Sequence, residues 1–136
     1  MEKVNAYISW SGNNYCATAG DQVEGCIVVT DKTFEGIQKS FIESLEFHIE
    51  GMVADGDIVP EYLKNGEYEV VFSLETSALL RKCEQYTSLA AIARASGINE
   101  RQLSHYARGM RNPRPEQRAR IVEGLHKIGQ EFLSVV

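Results

Sequence analysis

The sequence predicts an α+β chain in two parts: a β-β-β-α-β module over residues 1–76, then an all-helical module over residues 77–136. Three observations lead there. Apolar residues alternate with polar ones near the N-terminus and again over residues 67–75, the period of a half-buried strand. From residue 77 onward they recur every third or fourth position, the period of an amphipathic helix. The charge changes sign at nearly the same place. Residues 1–80 hold four Lys/Arg and fourteen Asp/Glu, a net of −10, whereas residues 81–136 hold ten Lys/Arg and five Asp/Glu, a net of +5.

The first strand spans residues 3–10, with Val4, Ala6, Ile8 and Trp10 on one face. Ser11-Gly12-Asn13-Asn14 is a hairpin turn, since Gly and Asn tolerate positive φ. A second strand follows over residues 15–18 and a β-branched third over residues 26–30 (CIVVT). Asp31 or Thr33 then caps a helix running to about Gly51, with Ile37, Phe41, Leu45, His48 and Met52 on its inward stripe. A loop through Asp55-Gly56-Asp57 and Pro60 leads to the last strand, where Tyr68, Val70, Phe72 and Leu74 alternate. Such an order packs one helix on one face of a small sheet.

In the second part, Leu79, Leu80, Cys83 and Tyr86 are spaced for a helix that opens the domain. Residues 88–113, SLAAIARASGINERQLSHYARGMRNP, carry the densest signal. Leu89, Ile92 and Ala93 give a short helix one apolar face, and Ser96-Gly97-Ile98 breaks its period. Gly97 suits the positive φ of a tight turn, and Ile98 is placed to tuck between two helices. Asn99 is a good N-cap, and Gln102 allows an amide form of the capping box. The next helix turns Leu103, Tyr106 and Ala107 inward and ends at Gly109 in the C′ position. Pro113-Arg114-Pro115 marks a break, with Pro115 at the first position of a last helix bearing Ile121, Leu125, Ile128 and Phe132. Its apolar tail, residues 132–136, reads as core or as a dimer contact.

Two apolar triads flanking a Gly-apolar-Asn turn are the pattern of a DNA-binding helix-turn-helix. The outward face of its second helix has matching chemistry: Asn99, Glu100, Arg101, Gln102, Ser104, His105 and Arg108. Arg pairs with guanine O6/N7, Gln with adenine N6/N7, and Ser and His serve bases or phosphates. Arg111, Arg114 and Arg118 are placed to neutralise backbone phosphates. Arg81, Lys82, Arg94 and Arg120 add to the same cationic surplus. The expected partner is double-stranded operator DNA, bound by a homodimer or higher oligomer at repeated half-sites. The acidic first part would be repelled by DNA and needs another, positively charged partner.

Composition narrows the classes further. With 136 residues, 43% of them hydrophobic, the chain holds one mid-sized or two small domains and is too apolar for disorder. It has no run of 18 apolar residues and no apolar segment of a secretion signal at the start, so a cytoplasmic protein off the membrane is expected. Cys16, Cys26 and Cys83 form no C-x-x-C pair and read as buried thiols, not metal ligands. No cofactor fingerprint appears.

An acidic β-β-β-α-β module followed by a repressor-type helix-turn-helix resembles the HicB family of antitoxins. The residues that carry the likeness are GDQVEGCIVVTDKTFEGIQKSFIESLEFHIEGM, similar to that family's loop, Gly-Cys turn and amphipathic helix. SGINERQLSHYARGMRNPRPEQRARIVEGL likewise resembles the phage-repressor and Cro type of domain. The family's usual Leu-Pro-Gly-Cys loop is here Val23-Glu24-Gly25-Cys26. The resemblance implies a partial RNase H-like fold without nuclease activity that caps a small HicA-type, mRNA-cleaving toxin. It also implies repression of the operon by the C-terminal domain. A surface at −10 suits a basic, RNA-gripping toxin, with Glu43, Glu46 and Glu50 as the contact candidates.

Two other classes compete. One is a stand-alone transcription regulator whose first part senses a ligand or a protein. The other is a metal-dependent nuclease, which needs carboxylates converging on metal ions about 4 Å apart. Asp21, Asp31, Asp55 and Asp57 fall in loops or caps without such spacing, and His48 lies on an inward stripe, so a non-enzyme is expected.

Overall fold

A computed structural model describes residues 1–23 and 27–136. The chain is a mixed α+β protein that divides into two compact units. The first comprises Met1–Ser9 with Asn13–Glu75, the second Trp10–Gly12 with Thr76–Val136. The boundary lies one residue before the expected one, and the tip of the first hairpin belongs with the helical unit.

In the first unit, β1 (Glu2–Trp10), β2 (Tyr15–Ala19), β3 (Val28–Asp31) and β4 (Tyr68–Leu74) form one mixed sheet in the order β3-β2-β1-β4. β2 and β3 are antiparallel. β1 and β4 are parallel, in register from Glu2↔Tyr68 to Ile8↔Leu74. A parallel pair needs a long crossover, here provided by α1 (Phe34–Ala54) and a single turn, α2 (Glu61–Lys64). That turn leaves no mark in the sequence pattern, since four residues are too few to display a period. Its Leu63 is buried, as is Val59 just before it.

Both candidate caps of α1 are used in series. Thr33 Oγ1 accepts from the Gly36 N–H (2.9 Å), and Asp31 Oδ2 accepts from the Thr33 N–H (2.9 Å) and hydroxyl (3.1 Å). The helix buries Ile37, Phe41, Leu45 and Ile49, while His48 and Met52 are only half-buried. The expected stripe through His48 and Met52 is thus corrected. A row stepping by four is inclined to the helix axis, which suits packing on a twisted sheet; a step of three at residue 48 would straighten it. Phe41 meets Phe72 of β4 edge to face, with centroids 5.9 Å apart. β3 begins at Val28, with Ile27 outside it, and the Glu24-Gly25-Cys26 part of the expected loop and strand lies outside the described residues.

The second unit holds α3 (Thr76–Cys83), α4 (Leu89–Ser96), α5 (Glu100–Ala107) and α6 (Pro115–Leu133). Leu80, Ile92, Ile98, Leu103, Tyr106, Ala107 and Ile121 form one buried cluster, flanked by Leu89, Ala93, Leu125 and Ile128. Each large member contributes on the order of 1.5–3 kcal/mol through burial. Five apolar residues fall outside it. Tyr86 lies past the end of α3 and is 74% exposed; Phe132 is 59% exposed, and Leu133, Val135 and Val136 are exposed too. The apolar tail is therefore not core. The thiols of Cys16 and Cys83 are free and half-buried, less enclosed than expected.

Two backbone constraints shape this unit. Gly97 turns the chain after α4 with φ +74°, a conformation that disfavours a Cβ. Gly124 lets α6 lie close against the end of α4: a Cβ there would sit 2.9 Å from Ser96 Cβ and 3.0 Å from its backbone nitrogen. Trp10 is held in the same unit. Its N–H donates to Ser77 Oγ (2.9 Å), and the Arg81 guanidinium lies 4.4 Å from its ring centroid. No described helix is long and apolar enough to cross a membrane.

Because the atoms facing Gly124 belong largely to backbone, Gly124→Val should overpack the α4–α6 crossing by about 1–3 kcal/mol. Urea unfolding followed by circular dichroism should show a lower midpoint. Gly129→Ala, with nothing near its Cβ position, should not lower it.

Candidate nucleic-acid interface

The helix that carries the candidate reading residues is held from both ends. Asn99 Oδ1 accepts from the Arg101 N–H (2.8 Å), the expected N-cap. At the other end Arg108 is the C-cap, and Gly109 follows with φ +74°. Leu103, Tyr106 and Ala107 are buried, so the orientation of α5 about its axis is set by packing. Glu100, Arg101 and Arg108 consequently stand exposed, with Gln102, Ser104 and His105 half-exposed beside them.

Two hydrogen bonds tidy this face. Gln102 Nε2 donates to the Tyr106 hydroxyl (2.9 Å), and Arg108 Nη2 donates to Ser104 Oγ (3.0 Å). The first corrects the expected capping box. Tyr106 buries its ring but leaves a hydroxyl within reach one turn on, and that partner takes the Gln102 amide. One amide hydrogen and the acceptor oxygen of Gln102 remain for an outside partner.

The cationic residues sort into two groups. Arg94, Arg111 and Arg114 are exposed, the last two in the segment between α5 and α6. Others also serve the fold. Arg118 is half-buried and donates from Nη1 to Oγ1 of the buried Thr76 (3.0 Å). Arg120 donates from Nη2 to the carbonyls of Gly97 (2.9 Å) and Ser96 (3.3 Å), closing the C-terminus of α4. Spacing revealed neither role, since both partners lie more than twenty residues away. A basic residue near the last carbonyls of a helix is nonetheless a favoured arrangement.

Glu43, Glu46 and Glu50 are all exposed on the outward side of α1. Glu43 pairs loosely with Lys39 (4.0 Å) and lines a groove with Phe47 and Asp57. Glu46 and Glu50 line a second groove on the opposite flank, with Leu63 and Tyr68. Burial, reinforced by the Glu46 carboxylate, pushes the Tyr68 hydroxyl above the ordinary tyrosine range. Asp31 is occupied as a helix-capping partner, and Asp55 and Asp57 flank the end of α1. Among the described residues no three His, Cys, Asp or Glu side chains gather as a metal site.

No protein-family model, no curated protein and no solved structure matches this chain.

The raised Tyr68 pKa has a definite sign. The folded state holds that proton more tightly than the unfolded chain, so stability is lost as pH rises through the alkaline tyrosine range. Glu46→Gln removes the coulombic part, and ultraviolet titration of tyrosinate should then show Tyr68 ionising at lower pH.

Proposed function

We propose that the chain is an antitoxin and transcriptional repressor in two parts. The second unit binds operator DNA, with α4 and α5 as the helix-turn-helix and α5 as the helix that enters the major groove. The first unit, a partial RNase H-like fold without nuclease activity, neutralises a small basic HicA-type toxin. The observation that carries this reading is the outer face of α5. It offers Arg101, Gln102, Ser104, His105 and Arg108 on a helix whose rotation is set by three buried side chains. Guanidinium, amide, hydroxyl and imidazole groups together supply donors and acceptors for base edges in the groove.

Charge separates the two roles. The second unit carries ten Lys/Arg against five Asp/Glu, and its exposed Arg111 and Arg114 suit phosphates. The first unit holds four Lys/Arg against fourteen Asp/Glu, which repels DNA and attracts a basic, RNA-gripping protein. The likeness of the acidic segment to the HicB family supports the same division. A dimer fits repeated half-sites, and the exposed Phe132 and Leu133 offer apolar surface for one.

Selection of bound sequences from a random duplex pool should yield one preferred site. Arg101→Ala should cost about 1–3 kcal/mol on that site and flatten the preference. Arg111→Ala should weaken all duplexes alike and lower the salt slope by about one. An unchanged preference after Arg101→Ala would show that α5 is not the reading helix. For the antitoxin role, a small basic protein should be encoded beside this chain and should arrest growth when expressed alone, and co-expression of the full chain should restore it. Harmless expression of that neighbour would remove the role.

A further inference from the structure

A groove of ≈ 620 Å³ runs along the β3 edge of the first unit, between that strand and α1. Val29, Phe47 and Met52 give it apolar walls; Glu43, Asp55 and Asp57 give it a rim of carboxylates, and no lysine or arginine lines it. Phe47 is 78% exposed and Val28, at the start of the strand, 56% exposed. Large apolar side chains left open beside one another mark a contact surface more often than a solvated one.

The strand itself is an open edge. β3 pairs with β2 on one side, and among the described residues no strand lies on the other. The Ala19 N–H donates to the Ile27 carbonyl (3.4 Å), so the hydrogen-bonded pairs continue as Val29 with Ala17 and Asp31 with Tyr15. The amides and carbonyls of Val28 and Thr30 therefore face away from β2. Exposed edges are commonly blunted by Lys, Pro or a bulge. Val28-Val29-Thr30 has neither lysine nor proline, and Asp31 is turned to the Thr33 cap.

We infer that the β3 edge and its groove take an extended segment of a basic protein as a fifth strand. Its backbone pairs with Val28 and Thr30. Side chains on the α1 side alternate apolar groups against Phe47 and Met52 with Lys or Arg against Glu43, Asp55 and Asp57. A second copy of this chain fits poorly, because edge-to-edge pairing would set two acidic rims and two strongly negative units against each other. The inference rests on the first unit being the protein-binding part, and it specifies where the partner lies and what chemistry it presents.

The probe is a nine-residue Val/Lys peptide, Val-Thr-Lys-Thr-Val-Thr-Lys-Thr-Val, whose one face alternates Val with Lys, with a Val/Glu peptide carrying Glu in place of each Lys as control, added to the isotope-labelled full chain. The Val/Lys peptide should shift the amide resonances of Val28 and Thr30, slow their exchange with solvent, and bind at least about tenfold more tightly than the control. Glu43→Lys with Asp57→Lys changes only exposed side chains and should reverse that preference. Thr30→Pro removes an outward N–H without a β2 bond and should abolish the slowed exchange at Val28. Shifts confined to other surfaces, equal binding by all variants, or self-association that competes with the peptide would each overturn the inference. Growth rescue by the Thr30→Pro chain equal to that by the unaltered chain would overturn it too, with the antitoxin reading intact. Peptide capture at the edge without a toxic neighbour would leave the edge standing and remove that reading.

Discussion

The backbone between α4 and α5 has to reverse within three residues while keeping both helices on one core. Gly97 makes that possible through its positive φ, and Ile98, buried directly after it, anchors the turn in the cluster. The carbonyls left over at the end of α4 would otherwise lack partners. Arg120 reaches from α6 to take those of Ser96 and Gly97, on the same helix whose Gly124 lies against Ser96. Turn, cap and close crossing thus support one another. Together they set which side of α5 is buried and which is left to solvent.

That division gives the outer face its chemistry. A helix free to rotate about its axis would present a blurred set of donors and acceptors, and selective recognition of any kind needs them held in place. Three buried residues on α5, plus the Gln102–Tyr106 and Ser104–Arg108 bonds, restrict the side chains before any partner arrives. Ordering them in advance lowers the entropic cost of association. In the first unit the equivalent constraint is the inclined row of Ile37, Phe41, Leu45 and Ile49, which presses α1 on the sheet. With that row inward, Glu43, Glu46 and Glu50 are left to solvent.

Opposite charge in the two units is a second constraint. Like charges gathered within one compact unit repel, a cost tolerated here on both sides. In the first unit the fourteen acidic residues meet only four basic ones, and among the described residues no strand lies beyond β3 in the same unit. An uncovered strand edge is a general site of pairing, and carboxylates beside one disfavour acidic segments there.

Local patterns in the chain determined most of the second unit. The start of α5 after Asn99, the turn at Gly97, the stop at Gly109 and Pro115 at the head of α6 all follow from short-range rules of capping and φ preference. Alternation likewise located β1 and β4, and two candidate caps located α1. What tertiary structure decided are contacts between residues far apart in sequence. The parallel pairing of β1 with β4, the bonds of Arg118 and Arg120, the Trp10–Arg81 stack and the exposure of Phe132 belong here. So does the shift of the α1 stripe from His48 to Ile49, which depends on the twist of the surface it covers. Periodicity and capping act over a few residues and are written in the local sequence. Pairing partners and side-chain reach depend on where the whole backbone goes.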